Sequence, residues 1–274
     1  MRFFKIISII LAVVFSAVTA LFIVKNYDTK NPPVITCTEE AVISVPCGAT
    51  DEDLLKYVNA EDKEDGNITD KIIVERKNFF LKSGETVVTF AVSDSDDNVS
   101  AIKRSLVFND YEPPTIDIID SLIIQQGIPD SLSNHFKITD MIDGDISHEI
   151  KLTASNFNAL IAGEYPINCK ASNSFGDSVN MDISVIVTDK DLSSASIKLK
   201  DYLIRLKSGD KFDFTDNIKK VINKKEEANY SESNVIVDDS KVDLKTPGTY
   251  NVYYTLEDYE QETVAMSRAI VIVE

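Results

Sequence analysis

The sequence predicts an all-β protein in which three tandem antiparallel β-sandwiches follow one N-terminal transmembrane helix. Three observations predict this fold class. A charge-free apolar run lies near the N-terminus, a pattern of alternating apolar and polar residues occurs three times at one spacing, and turn-forming residues separate the apolar stretches. A chain of 274 residues has room for one to three domains of ordinary size.

The N-terminal segment is predicted to anchor the chain in the cell membrane. Residues 6–24 form a 19-residue run without a charge, and a helix of that length spans the ~30 Å hydrocarbon core of a bilayer. Arg2 and Lys5 precede the run, which favours a cytoplasmic N-terminus and a C-terminal ectodomain outside the cytoplasm. Cleavage as a signal peptide after Ala20 is the alternative, but it would leave an apolar N-terminus. We therefore expect residues 1–30 to form a cytoplasmic tip and a single-pass signal anchor.

A threefold repeat is the strongest pattern in the rest of the chain. An alternating, strand-like segment follows each of three glycines, Gly84, Gly163 and Gly248. Twenty-six residues after each glycine, an acidic residue ends an apolar run, at Asp110, Asp189 and Glu274. The equal spacing predicts three domains of about 80 residues, each a two-sheet antiparallel sandwich. The predicted boundaries are 31–110, 111–189 and 190–274.

Repeats 1 and 2 share an acidic loop. Both fit the pattern D-x-x-D-G-[DN]-I-[ST], starting at Asp62 and at Asp140, 78 residues apart. In a tight loop the Asp oxygens accept hydrogen bonds from backbone N–H groups, the Gly supplies a positive φ, and the Ile enters the core. Repeat 3 keeps only a trace of the pattern at residues 213–218.

Together, these features resemble the tandem bacterial surface Ig-like domains of unknown function. The resemblance is carried by the Pro-Pro start of repeats 1 and 2, the acidic loop, and the late strand with a Gly-x-Tyr-x-Val-x-Tyr pattern, over roughly residues 32–274. Repeat 3 departs from the family pattern in its loop. The resemblance implies Ig-like sandwiches with a spacer or adhesive role on secreted or surface proteins, and it implies no catalytic activity.

The acidic loops allow two interpretations. Their hard oxygen ligands suit calcium, although no Glu falls at the twelfth position, as an EF-hand loop requires. The candidate ligands are Asp140, Asp143 and Asp145 in repeat 2, which is the better candidate, and Asp62, Asp65 and Asn67 in repeat 1. The alternative is a loop closed by its own hydrogen bonds, without an ion. No other cofactor is predicted.

Composition excludes several classes of function. The chain has 28 basic and 45 acidic residues, a net charge of -17, and residues 31–274 alone carry -20, so no nucleic-acid partner is expected. Two His and three Cys are too few for a His-based metal site or a disulfide scaffold. Cys169 is expected in the core, whereas pairing of Cys37 with Cys47 stays open. Because no G-x-S-x-G, HExxH or P-loop motif occurs, we expect no enzyme.

The expected function is that of a non-enzymatic, membrane-anchored extracytoplasmic protein. It would act as a cell-envelope spacer or as a module that binds a protein, a glycan or a cell-wall polymer. The alternative is a secreted or surface adhesin or carbohydrate-binding protein, which the absence of Trp disfavours. The connector at residues 190–194 lacks Pro and is expected to bend more than the Pro-containing connector at 111–114.

Overall fold

The computed structural model describes Ile7 and residues 10–21, 31–38, 42–226 and 228–274. Residues 10–21 are helical and are called α1. Within the described residues, no helix combines the length and the apolar character needed to cross a membrane. The predicted span, residues 6–24, lies partly outside them. The chain divides into two compact units, unit 1 and unit 2, between Tyr111 and Glu112.

Unit 1 is a β-sandwich of two sheets. Its strands are β1 (Val34–Cys37), β2 (Val42–Val45), β3 (Val58–Asp62), β4 (Gly66–Asn67), β5 (Ile73–Lys77), β6 (Glu85–Ser93) and β7 (Val99–Phe108). The smaller sheet has the order β1-β3-β4, and the larger has the order β2-β7-β6-β5. Helix α2 (Asp51–Leu55) lies between β2 and β3, and the 3-10 helix η1 (Thr69–Lys71) lies between β4 and β5.

Helix α2 is a single short helical turn of five residues. Its start is a reciprocal pair of hydrogen bonds. The backbone N–H of Asp53 donates to Thr50 Oγ1 (3.2 Å), and the backbone N–H of Thr50 donates to Asp53 Oδ2 (3.0 Å). Leu54 is buried beneath the turn, so the helix covers one end of the sandwich core.

Unit 2 contains two sandwiches, of which the first spans β8 to β14. Its strands are β8 (Thr115–Ile118), β9 (Ile123–Gln125), β10 (Phe136–Asp140), β11 (Gly144–Asp145), β12 (Lys151–Thr153), β13 (Gly163–Ser172) and β14 (Ser178–Thr188). The sheet orders are β11-β10-β8 and β12-β13-β14-β9. The 3-10 helices η2 (Leu132–His135) and η3 (Ser147–Glu149) precede β10 and β12.

The second sandwich of unit 2 has the same plan with a smaller first sheet. Its strands are β15 (Ala195–Leu199), β16 (Leu203–Leu206), β17 (Ile218–Asn223), β18 (Ile236–Asp238), β19 (Gly248–Glu257) and β20 (Thr263–Val273). The sheet orders are β15-β17 and β16-β20-β19-β18, and η4 (Glu232–Asn234) precedes β18.

Each larger sheet contains one parallel pair, which the prediction of purely antiparallel sandwiches missed. The parallel pairs are β2 with β7, β9 with β14 and β16 with β20. In each copy the first strand pairs antiparallel within the smaller sheet. The chain then crosses to the larger sheet through a short break and forms its second strand beside the last one. No sequence feature signals this crossing except the interruption of the apolar run.

The glycine-led strand and the last strand of each copy form a long central hairpin. Phe90, Cys169 and Tyr254 occupy matching positions on these hairpins, and each is fully buried, which confirms the predicted core thiol. Burial raises the pKa of the Cys169 thiol to about 12. The described residues include all three cysteines, and no disulfide joins them.

The two sandwiches of unit 2 share one hydrophobic cluster and several polar contacts. Arg268 on β20 has a side chain with no exposed surface. Its Nη1 donates to Ser184 Oγ on β14 (3.0 Å), and its Nη2 donates to the Ser184 carbonyl. Lys198 on β15 forms an ion pair of 2.7 Å with Asp120, which follows β8. These contacts fasten the second sandwich to the first.

The connector between the two sandwiches is also held. The backbone N–H of Leu192 donates to Gln125 Oε1 (3.2 Å), and Lys224 Nζ donates to the Leu192 carbonyl (3.3 Å). The absence of Pro predicted a bending connector at residues 190–194. In the structure, Leu192 of this connector bonds to Gln125 and Lys224, and a local sequence pattern does not record such contacts.

Candidate functional site

The acidic loop of repeat 1 is closed by its own carboxylates. Asp62 lies at the end of β3, and its Oδ1 accepts from the backbone N–H groups of Glu64 and Asp65, both at 2.8 Å. Gly66 has a φ of +73°, which favours glycine, and the chain reverses there into β4. Asn67 Oδ1 accepts from the backbone N–H of Thr69 at 3.0 Å. Two of the three predicted ligands, Asp62 and Asn67, therefore accept hydrogen bonds from within the loop.

Asp65 reaches out of its own loop. Its Oδ2 accepts from the backbone N–H of Ser95 (2.8 Å), and its Oδ1 accepts from the Ser95 hydroxyl (2.7 Å). Ser95 lies in the turn between β6 and β7. These hydrogen bonds hold the pKa of the Asp65 carboxyl below its ordinary value, and Lys71 adds to the effect. The acidic loop and the hairpin turn are thus joined into one polar cluster at this end of the sandwich.

The loop of repeat 2 has the same pattern of hydrogen bonds. Asp140 Oδ1 accepts from the backbone N–H groups of Ile142 and Asp143, both at 2.9 Å. Asp143 accepts from the backbone N–H (2.6 Å) and the hydroxyl (2.9 Å) of Ser174 in the turn between β13 and β14. Asp145 Oδ1 accepts from the backbone N–H (3.0 Å) and the hydroxyl (2.6 Å) of Ser147, which lowers the pKa of Asp145.

The two loops differ in the hydrogen bonding of one carboxylate oxygen, the Oδ2 atom of their first aspartate. Asp140 Oδ2 accepts from Asn173 Nδ2 at 3.1 Å, and both residues are buried. The corresponding Asp62 Oδ2 is buried and has no hydrogen-bond partner. At the position of Asn173, repeat 1 has Asp94, which is also buried. The sequence pattern of the acidic loop does not include Asp94 or Asn173, although Asp94 lies ten residues after Gly84 and Asn173 ten residues after Gly163.

The predicted calcium ligands are therefore placed as follows. In each repeat the three side chains belong to one loop, but they point to separate N–H donors. Within the described part of the chain, no three His, Cys, Asp or Glu side chains are arranged as a metal-binding group. This geometry favours the hydrogen-bonded interpretation for the triplets that the sequence singles out, and calcium binding by those triplets stays a prediction.

Repeat 3 builds the corresponding region differently. Asn217 is 2% exposed and bridges two segments: its Nδ2 donates to the Asp201 carbonyl (2.9 Å), and its Oδ1 accepts from the Asp201 N–H (3.0 Å). Asn217 Nδ2 also donates to the hydroxyl of Tyr254 (3.3 Å), which in turn donates to the Phe214 carbonyl (3.0 Å). An amide and a phenol here replace the carboxylates of repeats 1 and 2.

A second polar group lies at the junction within unit 2 and was not predicted. His135 is 9% exposed; its Nε2 lies 2.9 Å from Asp130 Oδ1, and its Nδ1 lies 2.8 Å from the Ser121 carbonyl. These residues line a cleft of about 250 Å³ together with Lys198 and Met266. The His135 ring thus bridges the segment at Ser121 and the segment at Asp130.

Comparison with known proteins finds sequence similarity to one curated protein. No protein-family model matches the chain. The pesticidal crystal protein Cry22Aa of Bacillus thuringiensis is 27% identical over 226 residues, which are 79% of this chain and 30% of that protein. The chain thus spans about a third of the length of the curated relative it matches.

Several solved structures show low overall similarity. The M60 catalytic domain with CBM51-1 and CBM51-2 from Clostridium perfringens ZmpB matches 89% of this chain and 31% of its own, with 13% identity and a TM-score of 0.24. Drosophila N-cadherin EC1-4 matches 89% of this chain and 76% of its own, with 14% identity and a TM-score of 0.24. CBM51-2 in complex with GlcNAc and INT domains, also from ZmpB, matches 51% of this chain and 29% of its own, with 18% identity and a TM-score of 0.23.

Proposed function

We propose that the chain is a non-enzymatic, membrane-anchored extracytoplasmic protein. Its tandem Ig-like sandwiches serve as a cell-envelope spacer or as an interaction module for a protein, a glycan or a cell-wall polymer. The observation that carries the proposal is the repetition of one two-sheet topology in three copies, each with its loops closed by internal hydrogen bonds. Repetition of a self-contained unit adds length, which a spacer needs, without altering the unit.

The contacts inside unit 2 support a spacer role. A spacer must keep its length, so successive sandwiches have to resist bending against each other. The buried Arg268 and the pair of Lys198 with Asp120 supply that resistance, because both join strands of one sandwich to the other. The acidic loops of repeats 1 and 2 accept hydrogen bonds from an N–H and a hydroxyl group of the neighbouring hairpin turn, which holds each loop against its own sandwich.

The anchor is supported by the apolar run and by the described part of α1. Ile10, Leu11, Phe15 and Leu21 are each more than half exposed on this helix. A helix that is apolar on every side is stable in a hydrocarbon environment. Arg2 and Lys5 precede the run and favour a cytoplasmic N-terminus, which leaves the acidic repeats outside.

The test of the proposal is the location of the full chain in cells. We expect it in the membrane fraction after alkaline carbonate washing, with the repeats cleaved by a protease added outside spheroplasts. Replacing Leu11 and Phe15 together by Arg places two charges in the apolar run and is expected to release the chain from the membrane. The matched control places the same two charges on unit 2, by replacing the exposed residues Leu160 and Tyr259 by Arg, and keeps the chain in the membrane. A carbonate-soluble wild-type chain, or repeats protected from the external protease, would contradict the proposal.

A further inference from the structure

One carboxylate oxygen in unit 1 is enclosed without a donor. Asp62 is 9% exposed, and its Oδ2 has no hydrogen-bond partner although Oδ1 accepts two backbone N–H groups. An ionised oxygen that loses water and gains neither a donor nor a cation destabilises the folded state. The loop of unit 1 is therefore incomplete at this atom.

The loop of repeat 2 shows what completes it. Asp140 Oδ2 accepts from Asn173 Nδ2 at 3.1 Å, while the rest of the loop repeats the bonds of unit 1. The amide N–H donates a hydrogen bond, which an ionised carboxylate cannot do. In repeat 2 the loop is thus satisfied by the protein alone.

Asp94 occupies in unit 1 the position that Asn173 occupies in repeat 2. Both residues close the turn of the central hairpin through their Oδ1 atoms. Asp94 Oδ1 accepts from the N–H groups of Asp96 (2.9 Å) and Asn98 (2.8 Å), and its Oδ2 accepts from Asn98 Nδ2 (2.8 Å). Asn173 accepts from those of Phe175 (3.1 Å) and Asp177 (2.9 Å), at the same two offsets. An ionised Asp94 has no hydrogen to offer, so the replacement turns a carboxylate–amide pair into two buried carboxylates.

The neighbourhood does not neutralise these two charges. The loop and turn add Glu64, Asp65, Asp96 and Asp97. The cations nearby are engaged elsewhere: Lys71 lies 3.5 Å from Asp65, and Lys63 lies 3.9 Å from Glu64. Such a local excess of negative charge attracts a small cation.

We propose that the loop of unit 1 binds a hard divalent cation of the calcium type between Asp62 Oδ2 and the Asp94 carboxylate. Calcium takes about six to eight oxygen ligands in irregular arrangements and retains water in its coordination shell, so water molecules would supply the ligands that the two carboxylates do not. The cation would contact the buried Asp62 Oδ2, as the Asn173 amide contacts Asp140 Oδ2 in repeat 2. The proposal assigns binding to repeat 1, and it replaces the within-loop triplets by a pair that joins loop and turn.

The test is calcium titration of the full chain in a neutral detergent, by calorimetry and by hydrogen exchange of the amides in residues 58–67. Wild type is expected to bind one calcium and to slow exchange of these amides in millimolar calcium. The variant Asp94→Asn restores the donor of repeat 2 and is expected to lose at least about tenfold in affinity. In the presence of EDTA it is expected to exchange more slowly than wild type, which separates the loss of binding from misfolding. Asp96→Asn removes an exposed charge from the same turn and should leave both readouts near those of wild type.

The reverse exchange tests the same idea in unit 2. Asn173→Asp creates a second carboxylate pair and is expected to raise the calcium stoichiometry from one to two. The proposal is overturned if wild type shows no response in about 5 mM calcium, or if Asp94→Asn binds as well as wild type. It is also overturned if acidification to pH 5 protects the amides of residues 58–67 as calcium does and Asp94→Asn abolishes that protection, because the pair would then share a proton.

Discussion

Asp65 and Asp143 show how single carboxylates organise the ends of the first two sandwiches. Each accepts from both the backbone N–H and the hydroxyl of one serine, about 30 residues further along the chain. Hydrogen bonds to an ionised acceptor are stronger than those between neutral groups. The residue that follows each loop, Ile68 or Ile146, is buried, as the motif predicts. The acidic motif therefore combines a polar bridge with an apolar anchor.

The apolar anchor can be tested at Ile146. This side chain is 4% exposed, and its backbone N–H donates to the Ile138 carbonyl (3.0 Å). Ile146→Ala is expected to lower the free energy of unfolding of unit 2 by about 2–4 kcal/mol, because buried methyl groups are lost and a cavity remains. Met141→Ala, in the same loop but 47% exposed, should change it by less than about 0.5 kcal/mol. Urea denaturation measures both variants; equal effects would show that the loop does not anchor through Ile146.

At the scale of elements, alternation and turn residues predicted the long hairpins but not all of their neighbours. Gly84, Gly163 and Gly248 mark the strands because alternation is a local property. The parallel pairing of β2 with β7 depends on where the chain changes sheets, and the link from Arg268 to Ser184 joins residues 84 positions apart. Contacts of this kind leave no local pattern. For the same reason the predicted calcium ligands did not include Asp94 or Asn173, which lie about 30 residues after the acidic loops that they contact or face.

The turn that precedes β6 requires a glycine at position 84, and this requirement can be tested. Gly84 has a φ of +76°, and an added Cβ would lie 3.2 Å from Tyr111 Cβ. Gly84→Ala is expected to destabilise unit 1 by about 1–3 kcal/mol, from backbone strain and from displacement of Tyr111. Gly48→Ala is the control, since Gly48 has no positive φ and nothing lies within 4 Å of its added Cβ. It should be neutral or stabilise by up to about 1 kcal/mol. A tolerated Gly84→Ala would contradict the strain at the turn.

At the scale of whole units, unit 2 couples two sandwiches through a buried cation. Arg268 lies beside Ser184 and 3.6 Å from Glu164 Oε1, and these two residues belong to the other sandwich. Burial lowers the pKa of the Arg268 guanidinium, because loss of hydration disfavours the charged form. If the first sandwich of unit 2 unfolds alone, Arg268 loses its partners, which is costly for a buried charge. The two sandwiches are therefore expected to unfold together.

Removing that charge is expected to loosen the junction. Arg268→Ala should cost about 3 kcal/mol and should separate the unfolding of the two sandwiches into two transitions in urea. Lys200→Ala removes an exposed pair with Asp216 (3.1 Å) and should cost less than about 1 kcal/mol without changing cooperativity. Hydrogen exchange of β14 and β20 reports each sandwich separately. A single transition in Arg268→Ala would show that the shared hydrophobic cluster and the other polar contacts couple the two sandwiches without Arg268.

The acidity of the chain leads to a prediction about pH. Hydrogen bonds from serine hydroxyls and N–H groups lower the pKa of several aspartates, among them Asp65, Asp145 and Asp238. Their pKa in the unfolded chain is about 3.9, so the folded state binds fewer protons near that pH. Their contribution to stability is complete above about pH 5 and is lost as the pH falls through 4 towards the folded-state values.

The net charge also changes on acidification: the charge of -17 at pH 7 is relieved down to about pH 4.5, and below that pH the 28 Lys and Arg residues give the chain a growing positive charge. Thermal unfolding from pH 7 to pH 3 in 1 M NaCl separates the two effects, because that salt screens repulsion beyond about 3 Å while short hydrogen bonds persist. In 1 M NaCl we expect the midpoint temperature to fall as the pH drops from 5 to 3, because the hydrogen bonds of these aspartates are lost. At low salt, repulsion between the positive charges adds to the fall below about pH 4.5. An unchanged midpoint at pH 3 in 1 M NaCl would show that these hydrogen-bonded aspartates do not stabilise the fold.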